Sequence, residues 1–255
     1  MRPNTALARW RAGDRTVGGW LSVSNTHVAE LMAHAGFDWL CVDLQHGLLD
    51  YTDLLHMLPA ISTTDTTPLV RVASHDPAGI MKALDAGAMG VIVPLVNTAA
   101  EAAAAVSACR YPPQGTRSFG PLRAALYGGR GYAVEANSQI ACIAMIETRA
   151  GLDNLEEILA VPGLGGIYVG PSDLGLALGL SALGDSDDPV HLAAVATIRE
   201  ACARHGVPAG IHTSSRAWAQ RRLDDRFSFV TLGSDVGFLM RAVGEDLASV
   251  RKTGL

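Results

Sequence analysis

Short apolar runs in this chain repeatedly lead into residues that carry charge. Trp39–Val42 leads into Asp43-Leu44-Gln45-His46-Gly47, Leu69-Val70 into Arg71, and Ala141–Ile146 into Glu147-Thr148-Arg149. Ile167–Val169 leads into Gly170-Pro171-Ser172-Asp173, Ala209–Ile211 into His212-Thr213, and Phe229–Leu232 into Gly233-Ser234-Asp235. Glu147 and Asp173 are hard oxygen ligands. With water they leave room on an octahedral ion such as Mg²⁺ or Mn²⁺ for a bidentate 2-oxo acid. Such an ion stabilises the negative charge that develops on a carbonyl oxygen as an enolate forms. Arg71 adds a planar guanidinium suited to the same oxygen. His46, three residues after Asp43, carries a side chain that titrates near neutrality and so suits a base. The other way to carry that charge, a lysine imine, has no residue to form it: Lys82 lies within a helical segment and Lys252 near the C-terminus.

Each residue also has a plainer use. Asp173 can cap a following turn, Arg71 can be a buried counter-charge for Glu147, and Asp43, Gln45 and His46 can form a turn-stabilising hydrogen-bond set. Taken singly, Asp43 and Gln45 favour the structural use, while His46 and His212 stand even between the two. Gathered on one rim, the acid pair, arginine and histidine favour catalysis. His27, His34, His56, His75, His191 and His205 fall in helices or loops and read as ordinary.

What gathers them is the order of elements. Eight strand candidates follow one another: Val17–Val23, Trp39–Asp43, Leu69–Ala73, Gly90–Leu95, Ala141–Glu147, Gly166–Gly170, Ala209–Thr213 and Phe229–Gly233. Each precedes a helical segment. Asn25, Asp76-Pro77, Thr98 and Pro189 mark helix starts, and Gly36, Gly87 and Gly206 mark ends. Strands apolar at consecutive positions, separated by amphipathic helices, imply a parallel sheet covered by helices. Eight units predict a (β/α)₈ barrel forming a single domain over residues 1–255, with its chemistry at the strand C-termini. A dinucleotide fold is disfavoured because Val23-Ser24-Asn25-Thr26 is not a glycine-rich turn. The long irregular stretch Tyr111–Tyr132 reads as a functional lid or assembly element.

Composition agrees with an enzyme of small molecules. The apolar fraction is 49%, the net charge −5 and the pI near 5.9, with no basic run for nucleic acid or an anionic membrane. No signal peptide or spanning run is visible, and Cys41, Cys109, Cys142 and Cys202 form no C-x-x-C pair. The expectation is a cytoplasmic protein with reduced cysteines.

The runs VDLQHG, LVRV, KALDAGAMGVIVPLV, RYPPQGTRSFGP, AMIETRAGLDNLEEI and YVGPSDL, in this order, resemble the HpcH/HpaI aldolase family of class II pyruvate aldolases. The resemblance runs from the first strand to the eighth. It implies reversible aldol addition of pyruvate or hydroxypyruvate to an aldehyde, with a divalent metal (Mg²⁺, Mn²⁺ or Co²⁺). It further implies His46 as proton acceptor, Arg71 against the enolate, and Glu147 with Asp173 on the metal. The backbone around Gly170, Pro171 and Ser172 would hold the pyruvate carboxylate. Asp85 would raise the basicity of the histidine. The resemblance also implies a homo-hexamer, a dimer of trimers, with the C-terminal helix swapped onto a neighbour's barrel. Two positions depart from the family pattern: Gln45 stands where many members have glutamate, and Met145 where many have a substrate-binding glutamine. Methionine is no strong donor, so donor and acceptor identity are what these changes affect. The long loop, through Phe119 and Arg123, is expected to shape the aldehyde pocket. Two other readings stand beside this one: a citrate-lyase-like acyl-CoA lyase using Arg117 and Arg123 for the nucleotide, and a catalytically silent dicarboxylate-binding barrel.

Overall fold

The computed structural model describes residues 1–181 and 184–252. Eight parallel strands close into a barrel in chain order: β1 (Thr16–Leu21), β2 (Trp39–Asp43), β3 (Thr67–Arg71), β4 (Gly90–Val93), β5 (Ala141–Ile146), β6 (Gly166–Val169), β7 (Ala209–Ile211) and β8 (Phe229–Ser234). The helices are α1 (Thr5–Ala12), α2 (Thr26–His34), α3 (Tyr51–Ile61), α4 (Pro77–Asp85), α5 (Ala99–Cys109), α6 (Ala124–Gly128) and α7 (Tyr132–Gln139). They continue with α8 (Arg149–Asp153), α9 (Leu155–Leu159), α10 (Pro171–Ala177), α11 (Pro189–His205), α12 (Arg216–Asp224) and α13 (Asp235–Lys252). Among the described residues no helix is long and apolar enough to cross a membrane.

The expected start signals sit where a cap is needed. Asn25 accepts from the Val28 N–H, Asp76 from Ala78 and Gly79 ahead of Pro77, and Thr98 forms a reciprocal box with Glu101. Gly36, Gly87 and Gly206 adopt φ of +94°, +106° and +65°, the left-handed turn that ends a helix. β1 stops two residues before its expected end, because the Asp235 carboxylate takes the N–H groups of Ser22 and Val23 out of the ladder.

Two separate apolar clusters hold the barrel. One fills the space between sheet and helices, through Leu40, Val42, Val70, Val91 and Ile146 among others. The other fills the barrel interior: Trp20, Trp39, Cys41, Leu69, Ile92, Ile143, Met145, Tyr168 and Phe229. Helix α1, absent from the sequence reading, plugs the lower end by stacking Trp10 on Phe229 with ring centroids 4.2 Å apart. Its signals are Asn4, which caps Leu7, and the buried stripe Ala6, Leu7 and Trp10.

Register places the rim residues. β2 and β3 pair Asp43 beside Arg71. β5 and β6 pair Ile146 with Val169, so Glu147 follows alongside Gly170.

Candidate active site at the strand C-termini

Asp43 organises the β2–β3 corner. Its carboxylate accepts two hydrogen bonds from Arg71, Nε at 2.8 Å and Nη2 at 2.5 Å, a planar fork on a planar acceptor. It also accepts from the Trp20 indole N–H at 3.1 Å and from the backbone of Gln45 (3.0 Å) and His46 (3.3 Å). One buried carboxylate thus fixes the guanidinium and the turn that presents His46. Burial alone would raise the Asp43 pKa; the Arg71 hydrogen bonds and charge, helped by Trp20, outweigh it and hold the carboxyl below its ordinary value. The turn-stabilising hydrogen-bond set through Asp43, Gln45 and His46 is present. The His46 side chain itself stands exposed at the mouth.

Glu147 sits opposite in character. It is buried, its Oε1 accepts from the Leu95 N–H at 2.9 Å, and its Oε2 has no hydrogen-bond partner. Leu95 reaches it from a left-handed backbone with φ +54°, which costs a non-glycine residue roughly 1–3 kcal/mol. Burial pushes the Glu147 carboxyl up to about 7, with the Leu95 N–H opposing and the nearby Asp173 charge adding to the rise. Gly170 leaves the room this needs: a Cβ there would lie 2.2 Å from Glu147 Oε2 and 2.6 Å from Met145 Cε. A buried, orphaned carboxylate oxygen beside a second carboxylate fits a hard divalent cation completed by water and ligand. Among the described residues no cluster of three or more His, Cys, Asp or Glu side chains is placed to hold a metal.

Between the two corners stands an aromatic layer that sequence reading passed over. Trp20 lies under the Arg71 guanidinium at 5.1 Å, stacks on Tyr168 at 5.6 Å and meets the His212 ring edge-on at 5.0 Å. Tyr168 Oη lies 3.3 Å from His212 Nδ1 and also bonds Thr231. Burial, then the Arg71 charge, lower the His212 pKa to about 4, so its imidazole is neutral at ordinary pH. Asp235, at the same rim, spends both oxygens on backbone N–H groups of Ser22, Val23 and Val236.

Two sequence expectations involve residues that lie away from the rim within one chain. Asp85 ends α4, and because that helix runs antiparallel to β3 its last turn lies at the strand N-termini. There Asp85 pairs with the buried Arg117 at 2.6 Å, away from His46 of its own chain. The long loop follows α5 rather than a strand, so within one chain it too packs on the lower face. Arg123 bonds the Ala86 carbonyl and Tyr127 there, and the basic residues enlisted for a CoA nucleotide are occupied far from the mouth.

The barrel, the rim and its unlike corners can be set against known proteins. The family model for HpcH/HpaI aldolase/citrate lyase matches residues 16–242. The chain belongs to this family. It is 40% identical over 248 residues to a hydroxypyruvate/pyruvate aldolase of Rhizorhabdus wittichii, covering 97% of this chain and 99% of that protein. It is also 40% identical over 240 residues to a 2-dehydro-3,6-dideoxy-6-sulfogluconate aldolase of Pseudomonas putida, with 92% of each chain covered. An HpcH/HpaI aldolase/citrate lyase family protein from Burkholderia cenocepacia superposes with a TM-score of 0.91 at 36% identity, covering 97% of this chain and 99% of that one.

Proposed function

We propose that this chain is a metal-dependent aldolase that adds pyruvate or hydroxypyruvate to an aldehyde and, in reverse, cleaves 4-hydroxy-2-oxo acids. One observation carries the reading: a guanidinium locked by a buried carboxylate faces a second buried carboxylate whose outer oxygen has no partner. Family membership and the names of the relatives support it. Neither lysine serves an imine: Lys82 lies on an outer helix with its ammonium 4.8 Å over the Tyr51 ring, and Lys252 ends α13.

In the cleavage direction the C4 hydroxyl gives its proton to His46 and the C3–C4 bond breaks. The aldehyde leaves, and the electron pair settles on the C2 oxygen as an enolate. Arg71, held in one plane by Asp43, faces that oxygen and gains most as its charge grows. His46 returns the proton to C3, giving pyruvate and restoring the base. The backbone N–H groups of Ser172 and Asp173, in the first turn of α10, hold the substrate carboxylate, since Pro171 has none and that of Gly170 bonds the Ile146 carbonyl; neutral His212 contacts the acceptor half. Glu147 and Asp173 would hold a divalent cation (Mg²⁺, Mn²⁺ or Co²⁺), which when bound would supply Lewis-acid polarisation of the 2-oxo group.

The same reading places the enzyme in the cytoplasm, consistent with four buried free thiols. It makes the enzyme a homo-hexamer, a dimer of trimers. Exposed Leu239, Met240, Val243, Leu247 and Val250 line α13 at helical spacing, an apolar stripe suited to a neighbouring barrel. Pyruvate release from 4-hydroxy-2-oxo acids, coupled to lactate dehydrogenase, tests the activity. Chelator-stripped protein should be inactive and recover with Mg²⁺, Mn²⁺ or Co²⁺; a full rate in stripped protein overturns the reading.

A further inference from the structure

By its position His75 reads as an ordinary loop histidine, and the reaction steps above give it no part. It lies between β3 and α4, at the end of the barrel where the strands finish. Its Nε2 stands 2.5 Å from the Pro94 carbonyl oxygen. A carbonyl only accepts, so the ring carries a proton on Nε2 and donates it. That carbonyl belongs to the same peptide group as the Leu95 N–H, which donates to Glu147 Oε1 at 2.9 Å. Among the described residues this is the one hydrogen bond that the Glu147 side chain makes. The two bonds therefore sit on opposite edges of a single planar, conjugated group. A donor on its oxygen fixes the plane from behind and polarises the N–H in front, which strengthens the grip on the carboxylate.

Leu95 needs that support. Its φ of +54° lies in the left-handed region, where a residue other than glycine persists only if its surroundings over-determine it. All four polar groups of the two peptides flanking it are bonded. On the C-terminal side Asn97 Nδ2 donates to the Leu95 carbonyl at 2.9 Å, and the Val96 N–H donates to the Met145 carbonyl at 3.2 Å. On the N-terminal side the partners are Glu147 and His75. Without His75, that peptide would be fixed only by the carboxylate it has to fix.

We infer that His75 is a positioning residue for the metal-binding pair: its bond to Pro94 holds the Leu95 peptide, which holds Glu147 Oε1 and leaves Oε2 free for the cation. This role rests on Glu147 being a metal ligand, as proposed above. His75 itself meets no reacting atom. A bond that merely tied the β3–α4 segment to the end of β4 would add stability and leave the metal unaffected, and the two roles separate by measurement.

Full-length His75→Leu and His75→Gln are compared with wild type. Glutamine keeps an N–H donor at the reach of Nε2, and leucine removes it. Mn²⁺ affinity, read from the electron paramagnetic resonance of free ion, should fall about 10-fold in His75→Leu and stay near wild type in His75→Gln. Amide exchange of the 93–97 segment in metal-free protein, followed by mass spectrometry, should quicken in His75→Leu alone. Saturating Mn²⁺ should restore pyruvate release by His75→Leu. Equal Mn²⁺ affinity in all three proteins, even with a lower Tm, overturns the inference. So does a loss in His75→Gln as large as in His75→Leu, or exchange that is unchanged in His75→Leu. A rate defect that saturating Mn²⁺ does not mend makes His75 a substrate contact and also overturns it. If wild type binds no Mn²⁺, the metal reading of Glu147 fails separately. The exchange measurement needs no metal and then decides whether His75 holds the Leu95 peptide.

Discussion

Glu147 should make metal binding and stability run in opposite directions with pH. Its carboxyl titrates near 7 in the folded, metal-free protein and near its ordinary value of 4.5 in the unfolded chain. Between those values the folded state holds the extra proton, so metal-free stability falls as pH rises from 4.5 to 7. A displacement of about 2.5 units at 1.36 kcal/mol each amounts to roughly 3 kcal/mol. For a chain of this size that is a fall of about 6–12 °C in Tm. A cation must displace the same proton, so its apparent affinity should climb about tenfold per pH unit below 7 and level off above. Calorimetric melting of chelated wild type and Glu147→Gln from pH 4.5 to 8, with Mn²⁺ titrations over the same range, measures both. The amide cannot titrate, so the variant should lose this slope, whatever its absolute stability. Parallel pH profiles in the two proteins, or a Mn²⁺ affinity flat from pH 5.5 to 8, would refute the assignment of the raised pKa to Glu147.

Removing Arg71 leaves Asp43 buried without its counter-charge, so Arg71→Ala should cost about 3–5 kcal/mol in urea unfolding as well as most of the rate. Adding Asp43→Asn should recover much of the stability and none of the activity, separating the two roles. Gly170→Ala puts a methyl 2.2 Å from Glu147 Oε2; Mn²⁺ affinity should drop about 10- to 100-fold with the far-UV spectrum unchanged, and an unchanged affinity would mean the glycine is not the room that matters. Val243→Glu with Leu247→Glu on the exposed α13 stripe should shift the assembly to smaller species in light scattering, leaving the barrel folded.

The sequence by itself determined the elements and the charged ends of the strands. β2 was legible residue for residue because consecutive apolar residues between turn signals need only near neighbours to be read, and the caps at Asn25, Asp76 and Thr98 are equally local. Once the barrel was inferred, Asp43, Arg71, Glu147, Asp173 and His212 followed, since strand C-termini share one face. Tertiary structure decided what these residues do to one another. That Asp43 serves Arg71 depends on the β2–β3 register, and that Glu147 Oε2 is left without a partner depends on Gly170 across the β5–β6 seam. Trp20 and Tyr168 looked like core because strands buried on both faces carry no polar–apolar alternation to mark which side faces the lumen. The same blindness hid the Arg117–Asp85 pair on the lower face: Asp85 read from spacing as a plain surface helix residue, and only the closed barrel brings the loop arginine onto it.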